Sequence, residues 1–168
     1  MLKGLFGASR QGRLDDAELG KGVWRRAHDR FRRGLDRFHQ MLEGLDETGA
    51  APGKAVGQAA ETYGAMVVVA DGLADLLPMV RRIAAEAQRA GPSEGMEIPT
   101  GTGGYLNDVH RELSRAGNAL AAAAEALALV RLGIGEASGV ALKAEIVHRH
   151  VNGAAELLSK AAHADKAP

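Results

Sequence analysis

A chain of 168 residues is long enough to bury the core of a single domain. It contains no cysteine, which excludes disulfides, thiolate metal sites and cysteine nucleophiles. Its 21 basic and 21 acidic residues balance, so no global field selects nucleic acid or an anionic surface. Alanine is abundant while aromatic residues make up 4% of the chain. Because alanine has the highest helix propensity, the composition predicts an all-α protein.

No segment predicts insertion into a membrane or secretion. The most apolar stretch, residues 64–80, is interrupted by Asp71, Asp75 and Pro78, whereas a transmembrane helix needs about 20 predominantly apolar residues. The apolar run among the first residues is too short and too often interrupted to be a secretory signal. We therefore expect a soluble, cytoplasmic protein.

Residues 1–13 contain three glycines and one small apolar cluster, and they predict a flexible N-terminal segment. The alternative is a short amphipathic anchor for a membrane surface or a partner groove. The first predicted helix starts near residues 14–17, where acidic side chains suit the positive end of the helix dipole, and continues to Leu45. Gly20 and Gly22 weaken its first turns and allow a break before Trp24.

Residues 24–45 have two distinct faces. Trp24, Phe31, Phe38 and Leu45 recur every seven residues and form one apolar stripe, which is typical of a helix packed against other helices. On nearly the opposite face lies a line of four arginines, which we call the arginine row: Arg26, Arg30, Arg33 and Arg37. This helix is predicted to form part of the core on one side and to present guanidinium groups on the other.

Three more helices follow. A loop at 46–53 precedes a helix at 54–90, in which Pro78 predicts a kink, or alternatively a complete break. Residues 91–104, rich in glycine and proline, form the longest irregular segment and predict a crossover or a partner-binding loop. A helix at 105–132 has the most regular apolar stripe, which extends to Ile134; a turn at 132–137 and a helix at 138–163 complete the chain.

These elements predict an all-α fold: a single-domain antiparallel four-helix bundle with long helices, a Pro-kinked second helix and a long loop between the second and third helices. The corresponding domain division is a flexible segment at 1–13, the bundle at 14–163 and a frayed tail at 164–168.

Metal binding and catalysis find little support. The pairs Glu145/His148 and Asp36/His39 resemble the Glu-x-x-His spacing of di-iron bundles, but their positions point away from the apolar stripes. His28 lies at the edge of the stripe. We predict that its ring is partly packed and that one ring nitrogen is hydrogen-bonded. We predict no metal ligands, no cofactor, no catalytic residues and no small-molecule substrate.

The weak phosphate-nest pattern TGTGG at 100–104 lacks the lysine and the preceding strand of a P-loop. Chain reversal explains these glycines equally well. The motif therefore gives no support for nucleotide binding.

The arginine row is the best functional clue, since arginine pairs bidentately with phosphate and carboxylate groups. Residues 21–40 carry seven basic against two acidic residues, a net charge of +5, and residues 41–75 carry one basic against six acidic residues, a net charge of −5. The row is therefore either a binding surface or a face neutralised by Asp29, Asp36 and the acidic segment.

We predict a non-enzymatic interaction or scaffold module with an unknown protein partner, and a homodimer is one possibility. The alternative is a peripheral binder of polyanions, either an anionic membrane surface or nucleic acid, through Arg26, Arg30, Arg33 and Arg37. A metal-binding or enzymatic four-helix bundle is a further alternative.

Overall fold

The computed structural model describes residues 3–47 and 56–164, with side chains over 10–45 and 57–164. This part of the chain is all-helical, without a strand. Its five α-helices are α1 (Lys3–Leu19), α2 (Val23–Glu47), α3 (Val56–Ala90), α4 (Tyr105–Arg131) and α5 (Ala137–Ala164). A 3₁₀ turn at Thr102–Gly104 precedes α4. The prediction of an all-α protein is confirmed, whereas the predicted count of four helices is wrong.

The extra helix arises because the first predicted helix, 14–45, is interrupted at Gly20–Gly22. Gly20 has φ +67°, a left-handed conformation that ends α1, and its N–H donates to Asp16 O over 3.1 Å. A Cβ at Gly22 would overlap the carbonyl of Ser93, so the chain passes directly against that loop. α1 begins at Lys3, well before the predicted start at 14–17. The flexible-segment prediction for 1–13 concerns mobility and stays a prediction.

The apolar stripe of α2 lies in the core, as predicted. Trp24, Phe31 and Phe38 are almost completely buried, while Leu45, at the end of the stripe, is only partly buried. Large aromatic side chains at seven-residue intervals fill the space between several helices, so α2 anchors the interior.

The four long helices contact each other in a cycle: α2 packs on α3 and α4, and α5 packs on the same two helices. Two of the neighbouring pairs in this cycle run parallel. Gly34 lies against Leu120 and Gly117 against Arg30, so α2 and α4 run parallel. Gly72 faces His148 on α5, and farther along both helices Ile83 lines a groove with Leu158, which makes α3 and α5 parallel as well.

The fully antiparallel arrangement is therefore wrong for two of the four neighbouring pairs. α3 and α4 follow each other in the chain but share few contacts, because the segment 91–101 crosses the end of the helices. This segment is irregular, as predicted. It forms a crossover, which was one of the two alternatives that the sequence left open.

α3 runs through Pro78 without a break, so a complete break at that position is wrong; the kink stays a prediction. Its apolar stripe is broader than predicted and includes buried Met66, Leu73 and Leu76. Residues 57–90 contain a window long and apolar enough to cross a membrane, of which 28% is buried here. Length and composition alone give this result, and core helices of soluble proteins give it too.

α4 and α5 match their predicted spans closely and share the most extensive helix contact. Small side chains such as Ala116, Ala123 and Ala154 are fully buried there, which permits close approach of the helices. Ile134 was expected in the α4 stripe but is 73% exposed, because α4 ends at Arg131 and the chain turns. The predicted loop 46–53 and tail 164–168 lie mostly outside the described residues.

Candidate functional site: the arginine row and its surroundings

All four side chains of the arginine row, Arg26, Arg30, Arg33 and Arg37, are exposed. They follow α2 in steps of four, three and four residues, so they stay on one side of the helix over about 16 Å. Contact of Arg30 with Gly117 and a hydrogen bond from Arg30 to Asn118 place the row along the border between α2 and α4. The structure thus brings the four predicted site residues together on one surface.

None of these four guanidinium groups forms an ion pair in the part of the chain that the structure describes. Arg26 donates to the carbonyl oxygen of Gly95 and Arg30 to the side-chain oxygen of Asn118, both neutral acceptors. Arg33 and Arg37 make no side-chain hydrogen bond within the same ranges. Since each guanidinium carries five N–H donors, most of the donor capacity of the row faces solvent.

Of the two alternatives for the row, neutralisation by acidic residues would require ion pairs, and Asp29 and Asp36 form none with it within the described residues. Asp29 pairs with Arg25, whose Nε donates to Asp29 Oδ2 over 2.8 Å. Asp36 is exposed and forms no ion pair within the described ranges. Within the described ranges, no ion pair therefore compensates the charge of the row.

A second charged group, centred on Asp15, was not identified from the sequence. Asp15 is 2% exposed; its carboxylate accepts from Arg81 Nη1 and Gln11 Nε2, both at 2.8 Å, and Arg25 Nη2 lies 3.7 Å away. Burial alone would raise the pKa of Asp15. The hydrogen bonds from Arg81 and Gln11 and the charges of both arginines outweigh burial and hold the pKa below its ordinary value.

This group ties α1 to the rest of the molecule. Arg81 on α3 also pairs with Glu18, and Arg25 on α2 donates to Asp16 over 2.8 Å. α1 contacts only α2 and α3 among the described helices, and Leu19 is the buried apolar side chain within residues 10–19. The cluster therefore fastens α1 to both of these helices.

His28 is 4% exposed, more deeply buried than its predicted boundary position. Its Nδ1 lies 3.1 Å from Asp29 Oδ1, in agreement with one hydrogen-bonded nitrogen. Burial lowers the pKa of His28, and the hydrogen bond and charge of Asp29 offset this only partly. His28 is consequently neutral near pH 7 and acts as a packed core side chain.

The loop 91–101 is held against the start of α2 by buried hydrogen bonds. Ser93 Oγ accepts from the backbone N–H of Val23 over 3.1 Å and donates to the carbonyl of Glu97 over 3.2 Å. Trp24 Nε1 donates to the carbonyl of Gly91 over 2.9 Å. The sequence does not reveal that Ser93 holds this loop, because the residue that donates to it, Val23, lies 70 residues away in the chain.

Glu112 and His150 form a hydrogen-bonded pair between α4 and α5, with 2.7 Å between Glu112 Oε2 and His150 Nδ1. Burial raises the pKa of Glu112, but the opposing effects of His150 and Arg115 are together larger, so the pKa lies below its ordinary value. A carboxylate of lowered pKa is ionised near neutral pH and is a poor general acid. This pair joins two helices.

The metal candidates do not converge. No cluster of three or more His, Cys, Asp or Glu side chains with metal-site geometry occurs among the described residues. Glu145 is exposed, and His148 lies beside Gly72 of α3.

The TGTGG segment uses its glycines for chain reversal. Gly101, Gly103 and Gly104 all have positive φ, and the N–H groups of Gly104 and Leu106 donate to carbonyls of the same loop. These donors are therefore not directed at an anion.

Comparison with protein-family models, curated proteins and solved structures finds no match to this chain. The functional argument consequently depends on the arrangement of the residues themselves.

Proposed function

We propose that the protein is a non-enzymatic interaction module that docks an acidic surface of a partner protein on the arginine row. The observation that carries this proposal is the lack of any carboxylate partner for the four exposed guanidinium groups within the described ranges. Charged arginines on a rigid helix bind carboxylates bidentately and lose little conformational freedom in doing so.

The spacing of the row favours a helical partner. Arg26, Arg30, Arg33 and Arg37 repeat at the pitch of an α-helix. Acidic side chains at positions i, i+4, i+7 and i+11 of a second helix have the same separations, so four pairs form at once. An anionic membrane or a nucleic-acid backbone also carries negative charge, but its charges do not have the separations of the row. The test below distinguishes binding to either of them from binding to a helix.

We further propose that α2, α3, α4 and α5 act as one four-helix bundle, which carries the arginine row and to which α1 is attached. We also propose that the protein works in the cytoplasm. The cyclic contacts of the four long helices support the first of these points. A self-associated dimer is compatible with both.

The test measures binding of a fluorescent helical peptide with glutamates at i, i+4, i+7 and i+11. The control peptide has the same composition with the glutamates distributed around the helix. We expect the patterned peptide to bind at least about tenfold more tightly, because only it aligns all four charges, and its affinity to fall at high salt.

The double variant Arg33→Glu/Arg37→Glu should abolish this preference, whereas Arg32→Glu should retain it. Arg32 is exposed on the opposite flank of the same helix, so it controls for charge alone. Equal binding of the two peptides contradicts the proposal, and so does tighter binding of anionic vesicles or duplex DNA than of the patterned peptide.

A further inference from the structure

A cavity of about 290 Å³ lies between the start of α2, the loop 91–101 and the first turns of α4. This volume is close to the lower limit for small-molecule sites in proteins. A local sequence pattern does not predict this cavity, because its walls come from three segments that are distant in the chain.

The polar part of the cavity consists of Arg26 and Arg30 from α2 and of His110 and Ser114 from α4. Among the residues that the structure describes, no carboxylate lines it. The two guanidinium groups contact only neutral acceptors, and Ser114 makes no side-chain hydrogen bond within the described ranges. Burial and the charge of Arg26 lower the pKa of His110, so its imidazole is neutral near pH 7 and offers one further donor or acceptor.

The rest of the lining is apolar. Met96 and Ile98 of the loop border the cavity together with Val23 and Ala27 of α2, and Met96 is 78% exposed. An exposed methionine beside a cavity offers an adaptable apolar surface to a bound molecule.

The loop and the helices that border the cavity are held in place without a bound ligand. Ser93 and Trp24 hold the loop to α2 through the hydrogen bonds described above, and the Trp24 ring packs edge-on against His110 with 5.9 Å between centroids. A fixed frame reduces the entropy lost when a ligand binds.

We propose that this cavity binds a small amphipathic anion, in which a carboxylate or phosphate head contacts Arg26, Arg30 and Ser114 and a short apolar body covers Met96 and Ile98. Two arginines one helical turn apart, neither of them paired with a carboxylate among the described residues, select the charge of the head. The apolar wall selects the body, and the volume limits its size.

The cavity shares Arg26 and Arg30 with the arginine row but does not depend on the docking function proposed above. Arg33 and Arg37 lie outside the cavity, and Ser114, Met96 and Ile98 lie outside the row. Variants can therefore separate the two proposals: Arg33→Glu/Arg37→Glu should lose the helical peptide and keep the anion, and Ser114→Leu should do the reverse.

Isothermal titration calorimetry of the full chain with octanoate and with phenyl phosphate tests the inference. We expect saturable binding of one molecule per chain for both probes. Octanol lacks the charged head and inorganic phosphate lacks the apolar body, so each should bind at least about tenfold more weakly than its partner probe. Octanol as effective as octanoate, inorganic phosphate as effective as phenyl phosphate, or no saturable binding of either main probe overturns the proposal.

Substitutions locate the site. Ser114→Leu fills the cavity and should abolish binding, and Arg30→Ala should weaken it about tenfold through loss of a charge-assisted contact. The double variant Met96→Ser/Ile98→Ser changes only the loop and should weaken octanoate selectively, which keeps the test valid if Ser114→Leu does not fold. Arg32→Ala is the matched control and should leave both affinities unchanged; wild-type affinity in the loop variant and in Arg30→Ala contradicts the site.

Discussion

Asp15 illustrates how a single buried carboxylate can position a whole helix. It lies between Arg81 of α3 and Arg25 of α2, and both guanidinium groups are themselves partly shielded from solvent. Removal of one partner from such a group leaves charge without compensation in a region of low dielectric constant, which costs more than the loss of a surface pair. The role of Asp15 is therefore structural, in contrast to the solvent-facing arginine row.

At the same scale, His28 predicts how stability depends on pH. Because burial lowers its pKa, the His28 side chain takes up its proton at a lower pH in the folded protein than in the unfolded chain, where the ordinary pKa is about 6.5. The free energy of unfolding should thus fall as pH decreases below about 6.5. His110, whose pKa is also lowered, adds to the same trend. Urea unfolding at a series of pH values measures it.

The variant His28→Gln should show a flatter dependence on pH than wild type across this range, because it removes one group that takes up a proton on unfolding. His163→Gln, at an exposed position near the end of α5, is the control. An unchanged profile in His28→Gln contradicts the assignment of His28 as a buried neutral side chain.

At the scale of the elements, the break between α1 and α2 depends on the absence of a Cβ at Gly22. An added methyl group there overlaps the backbone of Ser93, so α2 or the loop has to move. We expect Gly22→Ala to lower the free energy of unfolding by about 1–3 kcal/mol, the usual range for overpacking. Chemical denaturation followed by circular dichroism measures the change.

Gly64→Ala supplies the matched comparison. Gly64 lies within α3 with nothing within 4 Å of its added Cβ, so only helix propensity acts, and stability should increase by about 0.5–1 kcal/mol. Two glycine-to-alanine substitutions with opposite effects would separate steric contact from propensity. A stabilising effect of Gly22→Ala would show that the loop does not pack as closely as described.

At the scale of the whole molecule, α1 and the four long helices differ in how they are held. The long helices bury a continuous apolar core, whereas the described side chains of α1, in residues 10–19, contribute Leu19 and a set of ion pairs. Deletion of residues 1–19 should leave a cooperatively folded protein that is less stable by at least about 2 kcal/mol, since the burial of one leucine alone accounts for that amount. Thermal unfolding of the shortened chain gives the measurement.

The full chain at high salt is the control for this deletion. Salt weakens the exposed pairs that hold α1 but leaves the apolar core intact, so hydrogen exchange should increase in α1 before it increases in α4. Loss of all helical signal on deletion of α1 would contradict the proposed independence of the four long helices.

Helix spans were largely predictable, because the period of 3.6 residues is a local property of the sequence. Leu106, Leu113 and Leu127 mark the buried side of α4 without reference to any other helix, and they are buried in the structure. The arginine row is equally local: its four members share one face of α2 whatever α2 packs against. The missed stripe residues of α3, such as Leu73 and Leu76, reflect a helix that contacts neighbours on two sides, for which a single narrow stripe is too simple a pattern.

By itself, then, the sequence determined that the chain is helical, where its long helices lie and which face of α2 carries the arginines. Only the tertiary structure decided that α2 and α4 run parallel, that Asp15 meets Arg81, and that Met96 closes a cavity beside Arg26. The physical reason is distance along the chain. Helix formation depends on neighbours within about four residues, whereas the contact between Asp15 and Arg81 joins residues 66 positions apart and exists only after the helices have packed.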